Sequence, residues 1–139
     1  EFRRVLFRSA AGAIVVTTPQ QVSLADSRRA VAMYRKLNIP TLGIVENMSY
    51  FVCPECSHEA DIFGNGGGER MAHELGVPFL GRIPIYQPIR EGGDSGVPLT
   101  ISEPDSPAAR AFMATAEQAA AQVSIASYGR PTIPLTPVR

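Results

Sequence analysis

Two short β-branched runs on either side of a helical pattern constrain the fold of this chain most strongly. Residues 13–18 (AIVVTT) and 41–45 (TLGIV) are apolar without alternation, which is typical of strands buried on both faces of a parallel sheet. The apolar residues between the runs recur at helical spacing and predict a helix over about residues 24–37. They are Leu24, Val31, Tyr34 and Leu37. Strand, helix and strand in about 33 residues predict a right-handed βαβ unit.

Local signals mark both ends of this helix. Ser23 is followed by Asp26 three residues later, which is a variant of the capping box, so we expect the helix to start there. At the other end, Ile39 precedes Pro40. Because a residue before proline leaves the α region, the helix is expected to stop before this pair.

The rest of the chain predicts a third strand between two further helices. Residues 69–75 are expected to form a short helix that Gly76 closes, and residues 77–83 (VPFLGRI) a third buried strand. Residues 91–96 (EGGDSG) predict a flexible loop.

A last helix is predicted from Pro107, behind Asp105 or Ser106 as the cap, to about Val123. Its inner face is expected to consist of residues at three- and four-residue steps. These are Ala108, Ala111, Phe112, Ala116, Ala119 and Val123.

These elements predict an α/β fold, as part of a doubly wound parallel sheet with about three strands and three to four helices. Three strands are few for such a sheet, so we expect residues 10–123 to be one half of a larger domain whose other half lies upstream. Residues 1–9 (EFRRVLFRS) have no clean period and predict a non-native leader, with a short native helix or arm as the alternative. Residues 124–139, with three prolines near the end, predict an extended tail.

Composition excludes several classes of protein. The 13 basic and 13 acidic residues give a net charge of zero, so no positive field would hold nucleic acid or an anionic membrane. No apolar run approaches the roughly 20 residues that cross a bilayer. Two closely spaced cysteines do not resemble a secreted disulfide framework, which favours a cytoplasmic location.

Cys53 and Cys56, the only cysteines, are the candidate metal ligands. Two thiols in a C-x-x-C spacing can face one ion or cluster, and thiolates select zinc or iron–sulfur iron. Spacing alone leaves four interpretations open: a thioredoxin-type redox pair, a zinc site completed by His58 and Asp61, two inert thiols, or a half-site that a second copy of the chain completes. The residues after Cys56 are a poor helix opening for the first of these.

Asn47 is the candidate ligand-binding residue, because it follows a buried strand at the edge where open α/β sheets bind ligands. Its carboxamide can read a base edge such as that of adenine, and a turn asparagine is the alternative. The glycine-rich residues 64–68 (GNGGG) are followed by Glu69 and not by the lysine of a P-loop. We therefore expect them to form a turn that leads into a helix.

Several motifs together resemble the Mrp/ApbC iron–sulfur cluster carriers, which are P-loop ATPases related to MinD and ParA. The resemblance covers about residues 12–123, and its most specific parts are the joint occurrence of ENMS, CPxC and FGxGGGE. The matching segments are TTPQ at 17–20, AD at 25–26, LGIVENMS at 42–49, CPEC at 53–56, FGNGGGE at 63–69 and PFLGRIP at 78–84.

The resemblance implies that two subunits bridge a [4Fe–4S] cluster through Cys53 and Cys56, and that ATP, with magnesium, controls its delivery to apo iron–sulfur proteins. It also implies that Asn47 reads adenine and that the loop around Ile83 and Pro84 lies against the base. The implied assembly is a homodimer through the CPxC loop.

The family's P-loop, switch aspartate and DxPPG segment are not found in these 139 residues. Without a phosphate-binding lysine and a magnesium ligand, the developing charge in phosphoryl transfer is not stabilised. We therefore expect this chain alone not to hydrolyse ATP at a family-like rate. The rival hypothesis is a MinD/ParA-like positioning or partner-binding module whose cysteine pair holds a structural zinc ion.

Overall fold

The three predicted strands form one parallel sheet in the computed structural model, which describes residues 11–53, 55–56 and 58–128. The predictions for residues 1–9 and for the end of the tail lie outside these residues. The described elements, in chain order, are β1 (Ala13–Thr17), α1 (Gln21–Lys36), β2 (Thr41–Glu46), β3 (Phe51–Val52), β4 (Glu59–Ala60), α2 (Gly67–Leu75), β5 (Phe79–Arg82), α3 (Gln87–Ser95), α4 (Leu99–Ser102) and α5 (Pro107–Tyr128).

The main sheet has the order β1-β2-β5, with β2 in the centre. Both pairs are parallel, and at the carboxyl ends of the strands Glu46 is the partner of Thr17 on one side and of Arg82 on the other. The three strands therefore end at one edge, which is where ligands bind in sheets of this class.

Helices lie on both faces of this sheet, as the doubly wound prediction requires, but one face of β1 is open, since Ile14 is 41% and Val16 60% exposed. One core joins strand residues Val15 and Ile44 to α1 and α2, and a second joins Val45 and Leu80 to α5. Neighbouring residues Ile44 and Val45 point to opposite faces because side chains alternate along a strand. The fold class predicted from the sequence is confirmed, although the described residues form five helices and not the three to four expected.

The first helix begins earlier than predicted. It starts at Gln21, and the side chain of Ser23 does not cap it. Instead, the Ser23 hydroxyl lies 3.0 Å from the Thr17 hydroxyl and accepts a hydrogen bond from the Thr18 backbone N–H. Ser23 is already inside the helix and ties it to the end of β1. Leu37, predicted to be on the buried stripe, is 54% exposed because the helix ends at Lys36.

Two stretches that were predicted to be irregular are helical. Residues 91–95 belong to α3, which Gly96 closes in the left-handed conformation, so the predicted loop over 91–96 is wrong. Residues 124–128 continue α5, so the predicted tail starts too early. In both cases no apolar stripe marks the helix, since α3 has no buried residue and the end of α5 is largely exposed.

The cap of α5 is Ser106, whose hydroxyl accepts a hydrogen bond from the Ala109 backbone N–H. The inner face is only partly as predicted. Ala108, Ala111 and Ala119 face the core, whereas Phe112 and Val123 are more than a third exposed and Ala116 is exposed. The buried Ala109 shifts this face away from Phe112.

Candidate functional site

The two cysteines lie at the tip of a small hairpin that sequence patterns did not reveal. Its strands, β3 and β4, pair antiparallel, with Phe51 opposite Ala60 and Val52 opposite Glu59. The Cys53 backbone N–H donates to the His58 carbonyl across the tip at 2.9 Å. Strands of two residues carry too little apolar alternation to be read from a sequence. The hairpin thus carries Cys53 and Cys56 between its two strands.

The environment of Cys53 suits a thiolate ligand. Neither cysteine is in a disulfide, Cys53 is half-buried and Cys56 is exposed. Backbone N–H groups of Cys56 and Glu55, and then the Cys56 thiol, donate to the Cys53 sulfur and lower its pKa below the ordinary thiol value. Such donors favour the charged form. The pair can therefore offer soft, anionic sulfur to zinc or to iron–sulfur iron.

His58 and Asp61, the two further ligands considered for a zinc site within one chain, are exposed. Asp61 accepts a hydrogen bond from the Asn65 side chain at 3.1 Å. Among the residues that the structure describes, no group of three or more His, Cys, Asp and Glu side chains is placed to hold a metal ion.

Asn47 lies at the carboxyl edge of the sheet, as predicted. Its backbone N–H donates to the Thr17 carbonyl at 2.7 Å, and its side-chain oxygen accepts from the Met48 backbone N–H at 2.9 Å. Met48 has a positive φ of 54°, so Asn47 opens a tight turn. Its amide nitrogen is the part of the side chain left to face a ligand.

Asn47 and Pro84 line the same cavity, of about 590 Å³. Ile83 does not line it, because its side chain is 3% exposed and belongs to the core with Val45 and Leu80. The Ile83 backbone instead fixes the turn, since its carbonyl accepts from the Ser49 N–H at 3.0 Å. The other lining residues are Met48, Phe51, Ile85, Tyr86, Gln87, Ile89 and Arg90.

A second cavity, of about 230 Å³, lies next to Cys53. It shares the segment 84–86 with the Asn47 cavity. This segment is bonded to the hairpin, because the Ile85 backbone N–H donates to the Tyr50 carbonyl at 2.7 Å and Ile85 forms a parallel bridge with Phe51. One short segment therefore contacts both the cavity at Asn47 and the strand that leads to Cys53.

Glu46 is a residue of the site that motif reasoning did not single out. Its carboxylate is fully buried and accepts hydrogen bonds from the Ser49 hydroxyl and from the backbone N–H groups of Gly66 and Gly68. The glycine-rich run therefore gives two of its N–H groups to a side chain of this chain. The predicted turn ends at Gly66, because α2 already begins at Gly67. The sequence did contain a signal for this role, because Glu46 directly follows the apolar run 41–45. A carboxylate buried there needs hydrogen-bond donors from the rest of the chain.

A family model decides what kind of protein carries this arrangement. The model, from the ParA group and described as a NUBPL iron-transfer P-loop NTPase, matches residues 4–120. The chain belongs to this family. The resemblance drawn from the ENMS, CPxC and FGxGGGE segments is thereby confirmed at the level of the family.

Curated relatives agree with this assignment. The chain is 51% identical over 118 residues to the iron–sulfur cluster carrier protein of Synechocystis, a match that covers 84% of this chain and 33% of the relative. It is 53% identical over 106 residues to the iron–sulfur cluster carrier protein of Pyrococcus horikoshii, a match that covers 76% of this chain and 36% of the relative. It is 47% identical over 114 residues to the iron–sulfur cluster transfer protein NUBPL of Dictyostelium discoideum, which covers 82% of this chain and 35% of the relative. The chain thus spans about a third of the length of these relatives.

Solved structures share the fold. A nucleotide-binding protein from Archaeoglobus fulgidus in complex with ADP has a TM-score of 0.59 at 33% identity, over 73% of this chain and 40% of that one. The septum site-determining protein MinD of Pyrococcus horikoshii, complexed with Mg-ADP, has a TM-score of 0.62 at 27% identity. This match covers 86% of this chain and 45% of MinD. In the described part of this chain, no helix is both long and apolar enough to cross a membrane.

Proposed function

We propose that this chain carries the cluster-binding part of an iron–sulfur cluster carrier that delivers a [4Fe–4S] cluster to apo-proteins. The observation that carries the proposal is the exposed hairpin tip, where Cys53 and Cys56 lie in a chain of an iron-transfer family. Two thiolates supply half of the four ligands of such a cluster. A second copy of the hairpin, related by a two-fold axis, supplies the other half.

Nucleotide binding is the second part of the proposal. The cavity at Asn47 and Pro84 would take the adenine of ATP, with the Asn47 amide on the base edge and Ile83 acting through its backbone. In the whole protein, ATP with magnesium would control loading and delivery of the cluster in the cytoplasm. The segment 84–86 supports such control, because it lines this cavity and also bonds the strand before Cys53.

Anaerobic reconstitution with iron and sulfide tests cluster binding. The expected product is brown and holds about two irons per chain, as one four-iron cluster per dimer requires. Cys53→Ser and Cys56→Ser each abolish iron uptake, whereas His58→Gln, a change beside the same tip, leaves it intact. If the purified chain is colourless, holds zinc and takes up no iron, the cysteine pair is a structural zinc site of a partner-binding module.

Cluster transfer is tested by mixing the loaded chain with an apo four-iron acceptor in the presence of a chelator, which removes free iron. The acceptor should gain its cluster spectrum while the chain loses its own. An acceptor that stays colourless while the chain keeps its cluster would make the protein a storage site and not a carrier.

The base site is tested by titrating adenosine into the ¹⁵N-labelled chain. Resonances of the Asn47 side-chain amide and of Tyr86 should shift, and the shifts should disappear in Asn47→Ala. Unchanged spectra at millimolar adenosine would remove Asn47 and Pro84 from the nucleotide site, without bearing on the cysteines.

A further inference from the structure

We propose that Arg82 is a positioning residue that holds both ends of the cysteine hairpin and so fixes the place of the two thiols. This inference rests on the proposed function, in which Cys53 and Cys56 hold a cluster. Arg82 is the last residue of β5 and pairs with Glu46 in the main sheet. Its backbone is therefore anchored, and its half-buried side chain reaches toward the hairpin.

On the entry side, Arg82 contacts the two residues that precede β3. Its Nε donates to the Ser49 hydroxyl at 2.9 Å, and its guanidinium carbon lies 5.0 Å from the centre of the Tyr50 ring. Ser49 is fully buried and donates its own proton to the Glu46 carboxylate. The hydroxyl thus joins a buried anion to the guanidinium, and Tyr50 is held by cation–π attraction immediately before the hairpin begins.

On the exit side, Arg82 reaches the residue that follows β4 through one intermediary. Its Nη2 donates to the Asn65 side-chain oxygen at 3.3 Å, and the Asn65 amide nitrogen donates to the Asp61 carboxylate at 3.1 Å. Tyr50 and Asp61 flank the hairpin directly. One guanidinium therefore connects, directly or through Asn65, to both ends of the hairpin that carries the cysteines.

The hairpin needs such an attachment. An isolated two-stranded hairpin is at best marginally stable in water. This one has only two residues in each strand, and among the described residues the segment 84–86 bonds it on the entry side only. The planar fork of arginine donates in two fixed directions while its face meets an aromatic ring, which the single ammonium of lysine cannot reproduce. A cluster shared between two chains requires four sulfurs at set positions, so a fixed hairpin favours its assembly.

Amide hydrogen exchange of the metal-free chain tests the attachment itself. In Arg82→Gln, the Cys53 amide, which donates to His58, should exchange about tenfold faster or more, while amides of α1 and β2 keep their rates. Arg29→Gln is the matched control, because Arg29 is an exposed residue of α1 that pairs only with Asp26 among the described residues. An unchanged Cys53 rate in Arg82→Gln would overturn the proposal.

Two further variants separate positioning from a general loss of stability. Asn65→Ala removes the exit-side connection alone. It should raise the exchange rates of the amides that follow β4 more than those of the amides that precede β3. Arg82→Lys keeps the charge but loses the fork, so its effect on the Cys53 amide should fall between those of wild type and Arg82→Gln. If all exchange rates rise together in Arg82→Gln, the residue stabilises the whole fold and the specific role is wrong.

The consequence for the cluster is measured separately, as the half-life of the visible spectrum under a chelator. Arg82→Gln should shorten this half-life about tenfold relative to wild type and to Arg29→Gln. A wild-type chain that takes up no iron contradicts the proposed function, and the exchange rates still decide the role of Arg82. A variant that loads and holds its cluster like wild type contradicts the inference and leaves the proposed function standing.

Discussion

The carboxylate of Glu46, at the end of β2, accepts a hydrogen bond from the backbone N–H of Gly68, at the start of α2, 22 residues further along the chain. The cysteine hairpin lies within the residues between them. Glu46 thus closes the loop that carries the hairpin and places a negative charge at a helix N-terminus, where the helix dipole favours it. The same carboxylate also accepts from Gly66 and Ser49.

Glu46→Gln should lower the free energy of unfolding by about 2 kcal/mol. The amide nitrogen of the new glutamine would replace one carboxylate oxygen and would face a backbone N–H donor, which would then be buried without an acceptor. Urea denaturation followed by circular dichroism measures the change. Glu117→Gln, an exposed change on α5, is the control and should leave the midpoint where it is. Equal midpoints for the two variants would show that the buried carboxylate contributes nothing to stability.

Gly67→Ala should destabilise the chain by about 1–3 kcal/mol, as overpacking of a filled core does. A Cβ at Gly67 would lie 2.8 Å from both the Leu24 Cδ1 atom and the Pro19 carbonyl oxygen. The backbone oxygen cannot move aside as a flexible side chain could. Thermal unfolding of the variant measures the loss.

Gly93→Ala is the contrasting change in α3. A Cβ there meets nothing within 4 Å, and alanine favours a helix over glycine by about 0.5–1 kcal/mol. The variant should unfold at a higher temperature than wild type. A gain in Gly67→Ala or a loss in Gly93→Ala would contradict the packing described for the two helices.

Tyr86 should ionise at higher pH than a free tyrosine. Its hydroxyl donates to the Glu103 carboxylate at 2.8 Å, and this hydrogen bond, followed by burial and the charge of Glu103, raises the pKa of Tyr86. Because the folded-state pKa is raised, the stabilisation is present below the unfolded value of about 10 and is lost as pH rises through the folded-state value.

Phenolate absorbance as a function of pH measures this shift, with Tyr86→Phe identifying the signal. Glu103→Gln should return the Tyr86 titration toward its ordinary value. If the titration is the same with and without the Glu103 carboxylate, the hydrogen bond does not hold the segment 84–86 to the end of α4.

Sequence patterns were sufficient for the three strands of the main sheet and for the place of Asn47 at its edge, because both depend on local signals. The continuous apolarity of β1 and β2 predicted parallel strands buried on both faces. This holds for β2, whereas Ile14 and Val16 leave one face of β1 exposed. Asn47 was placed at the carboxyl edge of these strands, where the structure has it. Gly76 was expected to close α2, and it does so in the left-handed conformation.

What the sequence did not reveal depends on contacts between distant residues or on elements without a pattern. The hairpin has strands too short for a period, and α3 has no buried stripe. Ser23 matches a cap signal, but its hydroxyl is used by Thr17 and Thr18 instead. The roles of Glu46 and Arg82 come from partners up to 33 residues away, as in the hydrogen bond from Arg82 to Ser49.

Native mass spectrometry of the anaerobically reconstituted chain measures whether two hairpins share one cluster. The expected species has the mass of two chains plus one four-iron, four-sulfide cluster, whereas the Cys53→Ser, Cys56→Ser double variant should give only metal-free monomer. A loaded species that is a single chain, or a double variant that retains the cluster, would contradict a cluster shared through the two hairpins.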